Sequence, residues 1–279
     1  MKLFTTVAEL QQQLKQERGT GKRIGFVPTM GALHEGHLSL VNKATSQCDV
    51  VVVSIFVNPT QFNDLQDLER YPRVLDKDQA LLETTACSYL FAPSVKEVYP
   101  EEDKRVFDFG QLDKVLEGKF RPGHFNGVAQ VVSRLFSIVE PDKAFFGQKD
   151  FQQMVILKQM VRQLGLKIEI VPCPIVRQSD GLALSSRNSL LSPEYRKSAV
   201  LISKTLFEAQ KRITTMSVEQ LKAWVVETIN ADPLLEVEYF EIVDDVNLMP
   251  VLSWSENVSK VGCIAVYAGK IRLIDNISF

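Results

Sequence analysis

Two of the chain's three histidines, His34 and His37, stand three positions apart in Met30-Gly31-Ala32-Leu33-His34-Glu35-Gly36-His37. Gly31 and Gly36 allow a backbone with positive φ or a close approach to a ligand. Leu38, Leu40, Val41 and Ala44 follow at a spacing that suits a helix packed on a sheet. The histidines therefore occupy a helix start, where unpaired N–H groups and the positive end of the helix dipole favour phosphate. Three residues apart, both imidazoles lie on one side of that turn. Zinc is the competing chemistry, but His-Glu-x-x-His sets its histidines four apart, and no third ligand of obvious spacing follows here. Neither Gly-x-x-x-x-Gly-Lys-Ser/Thr nor Gly-x-Gly-x-x-Gly occurs at this turn. A strand–turn–helix with surface histidines would explain the stretch without any chemistry. The pattern favours phosphate.

Three more polar clusters could share that work: Asn58-Pro59-Thr60-Gln61, Gly147-Gln148-Lys149-Asp150 and Ser185-Ser186-Arg187-Asn188. Lys149 offers a point cation, Arg187 a planar fork, and Ser185 and Ser186 hydroxyl donors. Such a set suits attack at phosphorus, where positioning and stabilisation of spreading negative charge do most of the catalysis. Taken singly, each has a plainer explanation. Lys149 or Arg187 alone would be a solvated charge. Gln61 and Gln153 would be exposed amides, Asn58-Pro59 a turn, and His124 an ordering residue within its loop. No nucleophile stands out, and no Ser/His/Asp or Cys/His set can be read.

The elements that must position these clusters alternate. Thr6 and Glu9 suggest a capping box for a first helix with Val7, Leu10 and Leu14 on its apolar face. A strand at 24–28, stopped by Pro28, precedes the histidine turn. Val50 to Val57 is a nearly continuous β-branched run, as in a strand buried on both faces. A polar loop from Asn63 to Glu69 leads to a helix at about 76–84 and a strand at 89–92. A small strand-plus-helix insert is expected over 108–116. A basic loop, 119–127, and a helix then precede a strand at 144–146. The helix to about Leu164 and a strand at 168–171 complete a doubly wound, Rossmann-like parallel-sheet domain. Beyond Ile175 come helices at 193–212 and 218–230 and strands at 237–243, 261–267 and 271–274, with Gly269-Lys270 as a hairpin turn. The expected division is 1–175, a Rossmann-like domain, and 176–279, a smaller α+β domain with antiparallel strands. The His34/His37 turn, Asn58–Gln61 and Gly147–Asp150 would then share the carboxyl edge of one sheet, where open α/β sheets bind ligands.

The whole chain restricts the function classes. Its 279 residues, 45% hydrophobic and 24% charged, are those of a soluble globular protein. A net charge of −2 gives no electrostatic reason to expect nucleic acid. Cys48, Cys87, Cys173 and Cys263 are scattered among apolar residues, without paired spacing, which suits buried thiols in a reducing cytoplasm. Met1 to Thr6 lacks a signal-peptide pattern, and no run reaches the length of a membrane span. A cytoplasmic protein is expected.

With these residues in hand, Pro28-Thr29-Met30-Gly31-Ala32-Leu33-His34-Glu35-Gly36-His37 resembles the signature of the pantoate–β-alanine ligases, within the His-x-Gly-His nucleotidyltransferase superfamily. The short motif alone would also fit cytidylyltransferases. Phe56 to Phe62, Tyr71-Pro72-Arg73, Arg121 to Phe125 with Gly127-Val128, Phe146 to Asp150 with Gln152-Gln153, and Ser185 to Asn188 narrow it, recurring in the family's order across most of the chain. The resemblance implies a two-step reaction: pantoate attacks the α-phosphate of ATP, and β-alanine then attacks the pantoyl adenylate, giving pantothenate and AMP. It implies ATP contacts at Met30, Gly31, Ala32, Leu33, His34, Glu35, Gly36 and His37. Further ATP contacts are implied at Gly147, Gln148, Lys149, Asp150, Val176, Leu184, Ser185, Ser186 and Arg187. It makes His37 the proton donor and His34 its partner at the phosphates, with Lys149, Ser185 and Arg187 holding phosphate charge. Gln61 is implied to touch pantoate and β-alanine, and Gln153 pantoate. Magnesium is implied to ride on the ATP phosphates with no dedicated protein ligands. The smaller domain would be a lid, and the protein a homodimer.

At two places the chain departs from the family pattern. Leu184 replaces a methionine, a volume-conserving change. Asn63-Asp64-Leu65-Gln66-Asp67 replaces Gly-Pro-Asn-Glu-Asp, so a role assigned to that loop does not transfer. Three rivals remain in other classes. A cytidylyltransferase would require CTP and a phosphorylated acceptor. A tRNA-synthetase-like binder would retain tRNA at low salt. A nucleotide sensor would bind ATP without forming AMP.

Overall fold

The computed structural model describes residues 1–62 and 65–279. Strands β1 (Lys2–Phe4), β2 (Ile24–Thr29), β3 (Val50–Ile55), β4 (Tyr89–Phe91), β5 (Lys143–Gly147) and β6 (Glu169–Cys173) form one parallel sheet in the order β1-β4-β3-β2-β5-β6. Alternation along the central strands explains why both faces are covered. Phe26, Val52, Ala144 and Phe146 join the core beneath the helices Val7–Gly19, His124–Val139 and Phe151–Gln163. Val27, Val51, Val53 and Phe145 join the core beneath Glu35–Thr45 and Leu75–Leu82. The chain builds outward from β2 to β3 and β4, then returns to the other side of β2 with β5. That reversal opens a crevice at the carboxyl ends of β2 and β5.

The remainder is a second layer pair. Helices Pro193–Arg212 and Val218–Asn230 pack on an antiparallel sheet of β7 (Leu235–Asp244), β8 (Lys260–Ala268) and β9 (Ile271–Ser278), around Leu206, Leu221, Val225, Ile242 and Ile264. The core of the parallel sheet continues into Val243, Leu248, Val261 and Cys263. Two buried ion pairs tie the sheets together. Arg177 grips Asp275 at 2.6 and 2.9 Å, and Arg272 grips Glu117 at 2.7 Å twice.

Several expected local features differ. Thr6 makes no cap to the backbone, because its hydroxyl donates to the Glu9 carboxylate instead. Pro28 does not stop β2, which runs on to Thr29. Thr29 gives its carbonyl to Phe56 N on the β3 side, so the N–H that Pro28 lacks would face β5, where pairing with β2 ends at Phe26. Residues 108–116 form turns rather than a strand and helix, and the short helix is Glu117–Phe120. Leu65–Arg70 is helical where a loop was expected, while Asn63 and Asp64 of the divergent segment lie outside the described residues.

Helix His124–Val139 presses on the turn Pro59–Gln61 so closely that a Cβ at Gly127 would lie 2.4 Å from the Thr60 carbonyl oxygen. Gly127→Ala should destabilise the protein by about 1–3 kcal/mol and lower Tm by several degrees. An unchanged melting curve would contradict this packing.

Candidate active site

His34 caps the helix Glu35–Thr45 through a side chain that accepts from Gly36 N at 3.1 Å, while His37 Nδ1 accepts from His34 N at 3.3 Å. The rings lie against each other with centroids 4.1 Å apart. Gly36 is required here, since a Cβ would come within 2.8 Å of the His34 ring. A backbone N–H can only donate, so each Nδ1 is an unprotonated acceptor and each imidazole carries its proton on Nε2. Burial, with Lys149 nearby, lowers His34 to about 4; burial, His34 and Lys149 lower His37 to about 3. Both rings are neutral N–H donors at neutral pH.

The same bonds revise the expected phosphate site. The amides of the turn are not left open: Gly31 N donates to Thr29 Oγ1, Ala32 N and Leu33 N to the Asp78 carboxylate at 2.9 and 2.7 Å, and Gly36 N to His34. Asp78, from the helix Leu75–Leu82, is 3% exposed and lies behind the turn, bracing the positive φ of Gly31 (84°) and Ala32 (51°). The donors offered to a ligand are therefore imidazole Nε2–H groups in place of most of the backbone amides.

One cleft gathers the polar clusters. Met30, His34, Gly36 and His37 line it from β2. Gly147, Lys149, Asp150 and Gln153 line it from β5, and Gln61 from the turn after β3. Val176, Leu184, Ser185, Ser186 and Arg187 form its far side. Gly31, Ala32, Leu33, Glu35 and Gln148 do not line it. Glu35 points into solvent, and the Gln148 carbonyl is held by Asn276. Ser185 caps the turn Ser186–Leu190 by accepting from Arg187 N, and Leu184 N bonds the Val176 carbonyl. Lys149 lies 3.5 Å from Asp150, and its own carbonyl accepts from Asn276 at 3.0 Å.

Asn58, 1% exposed, orders the Gln61 corner. Its amide donates to Gln61 Oε1 and the Gly127 carbonyl, and its oxygen accepts from Tyr99. His124 Nδ1–H donates to the Gln61 carbonyl at 2.8 Å, while its Nε2 accepts from Arg121, a neutral ring that burial lowers to about 4. Asp78, Asp275 and Asn276 support the cleft without having been singled out in the sequence, whereas Asn58 belongs to the expected Asn58–Gln61 cluster and itself lines the cleft. Only a buried polar position inside an apolar pattern could have marked Asp78.

All three histidines are depressed below their ordinary value of 6.5. The unfolded chain therefore binds protons that the folded one does not, so stability is full above about pH 6.5 and falls as pH drops toward 4. Melting of the ligand-free protein should decline steadily from pH 7 to 5. Ring 15N NMR at pH 7 should show Nε2–H tautomers at His34 and His37 and Nδ1–H at His124; imidazolium signals there would contradict the geometry.

Comparison with known proteins places this cleft in a family. The pantoate–β-alanine ligase family model matches residues 2–278. A pantothenate synthetase of Porphyromonas gingivalis is 54% identical over 279 residues, spanning 100% of this chain and 99% of its own length. The crystal structure of the Thermus thermophilus pantothenate synthetase superposes with a TM-score of 0.93 at 44% identity, over 99% of both chains. The Francisella tularensis pantoate–β-alanine ligase, complexed with β-γ ATP and β-alanine, gives a TM-score of 0.83 at 36% identity over 100% of this chain and 97% of that one. With a full-length family match and relatives at this identity, the chain belongs to the pantoate–β-alanine ligases.

Proposed function

We propose that this cleft condenses pantoate with β-alanine at the expense of ATP, in two half-reactions. In the first, a pantoate carboxylate oxygen attacks the α-phosphorus and pyrophosphate leaves. In the second, the amine of β-alanine attacks the acyl carbon, AMP leaves, and the amide loses its proton. The observation that carries this reading is the pair of neutral imidazoles whose Nε2–H groups face a cleft with Lys149, Ser185 and Arg187 on its other walls. Donors fixed by the backbone need no reorganisation as charge grows on phosphate oxygens. His37 then acts as a hydrogen-bond donor from a neutral ring, with His34 beside it. ATP enters as its magnesium complex, the ion travelling on the phosphates as part of the substrate.

Val128, Val131, Val132 and Leu135 give the acid end of the cleft an apolar wall suited to the two methyl groups of pantoate, with the Gln61 and Gln153 amides for its hydroxyls. Gln61 also serves β-alanine. Residues 176–279 act as a lid over residues 1–175, keeping water from the acyl adenylate; Val176 and Leu184 to Arg187 are its contribution to the site. The family resemblance supports a homodimer. A cytoplasmic location is supported by four buried free thiols and by the lack, among the described residues, of any helix long and apolar enough to cross a membrane.

Pyrophosphate release from magnesium ATP should require pantoate, and release of AMP with pantothenate should require β-alanine. Pantoate-independent release, or CTP serving better than ATP, would favour a nucleotidyltransferase. Lys149→Ala should lower kcat by about a hundredfold or more, and His37→Ala should abolish adenylation in a folded protein. Full activity in either would remove its role. Sedimentation equilibrium should give twice the chain mass; a monomer would refute the dimer.

A further inference from the structure

Beside the cleft, and sharing Lys149, Asp150 and Gln153 with it, a second and smaller cavity lies between the two sheets. Its wall holds a buried carboxylate with no role in the ligation as described above. Glu117 is 8% exposed, yet it touches no group used by the ligation. Arg272 of β9 clamps both its oxygens at 2.7 Å, and the Tyr239 hydroxyl of β7 donates to Oε1 at 2.7 Å. Phe120 stacks on Tyr239 with centroids 5.4 Å apart, seating the helix Glu117–Phe120 on the C-terminal sheet. The preceding Leu116 is held at φ 49°, a left-handed conformation costly for leucine and sustained only because its surroundings enforce it.

Onward from Glu117, contacts run toward the substrate. Glu117 Oε2 lies 3.8 Å from Arg121 NH1, and the Glu117 carbonyl accepts from Arg121 N at 2.8 Å. Arg121 NH1 donates to His124 Nε2 at 3.0 Å, and His124 Nδ1–H donates to the Gln61 carbonyl at 2.8 Å. Gly127, one helical turn beyond Gly123, packs against the same corner, with the Thr60 carbonyl in its path.

We propose that Glu117 is a positioning residue for the acyl-transfer end of the cleft: held by Arg272 and Tyr239 of the C-terminal sheet, it fixes Arg121 and, through His124, the placement of Gln61. The inference rests on the assignment of Gln61 to pantoate and β-alanine. The ATP end has its own tie to the same sheet, since Arg177 pairs with Asp275 and Asn276 holds the Gln148 and Lys149 carbonyls. The two ties serve different substrates, so breaking one should leave the other's ligand largely unaffected.

Steady-state kinetics of Glu117→Gln, Arg272→Lys and His124→Ala test this. KM for pantoate and β-alanine should rise several-fold in each, with KM for ATP nearly unchanged and kcat falling less than KM rises. His124→Asn, which keeps a donor near the Nδ1 position, should recover much of the loss. The Glu117→Gln/His124→Ala double variant should be no worse than His124→Ala alone, because a relay is cut only once. Equal effects on ATP and pantoate, additive losses, or unchanged KM values in folded variants would overturn the proposal. Ring 15N NMR of the ligand-free protein gives a readout independent of activity. Glu117→Gln should shift the His124 Nε2 signal while leaving His34 and His37 in place, and an unmoved His124 signal would overturn the relay. Wild-type enzyme whose pyrophosphate release ignores pantoate would instead refute the assignment of Gln61, leaving the NMR result to decide the contact chain.

Discussion

The cleft depends on two hydrogen bonds, from Gly36 N to His34 Nδ1 and from His34 N to His37 Nδ1. They fasten each imidazole to the backbone at the helix start and so decide which nitrogen carries the proton. A phosphate loop made of bare amides places its donors within bond length of the chain. Here the ring intervenes, moving the donor outward by the width of an imidazole. The polarity of the helix start is passed on by the ring, with Nδ1 accepting and Nε2 donating. Glycine at position 36 follows directly, since any side chain would collide with the ring that makes this arrangement possible.

Around that start, support comes in layers that differ in chemistry. Behind the turn, Asp78 takes up two amides and removes any reason for the backbone to fold otherwise. Below the acid end, Asn58 satisfies its amide and carbonyl within one corner, linking Gln61, Gly127 and Tyr99. Buried polar groups are costly unless bonded, and these are bonded on several sides. The result is a cleft whose reactive groups stand on strand ends and short turns, held in place by buried side chains on neighbouring elements.

Much of this was legible from residue order. Val50 to Val53 announced a strand buried on both faces, and the punctuation by glycine and proline located the clusters at strand ends. What the sequence concealed was partnership across distance. β1 is three residues long, and only its pairing with Tyr89–Phe91 makes it a strand. Asp78 sits in a helix where an acid ordinarily faces water, and only its place one turn before Leu82 on the apolar face separates it from Asp76 and Lys77, which are not buried. The histidine turn looked like an open anion nest because the spacing of side chains does not reveal which amides they will occupy. Pro28 looked like a stop because the sequence does not show that the pairing of β2 with β5 ends at Phe26.

The strand order also imposes a timetable. β2 and β3 need no residue beyond 55 to pair, but the crevice needs β5, and that begins at Lys143. The N-terminal strand must wait for residues 89–91 before it has a neighbour. Such distant parallel pairings are slow to form, because loop closure precedes any reward from contact. During synthesis both imidazoles are thus made long before the wall that confines them. Asn276 in β9, which pins the Lys149 carbonyl, arrives later still. A chain can carry both imidazoles and yet lack an enclosed place for an acyl adenylate, because the contact that pins Lys149 comes from the last strand.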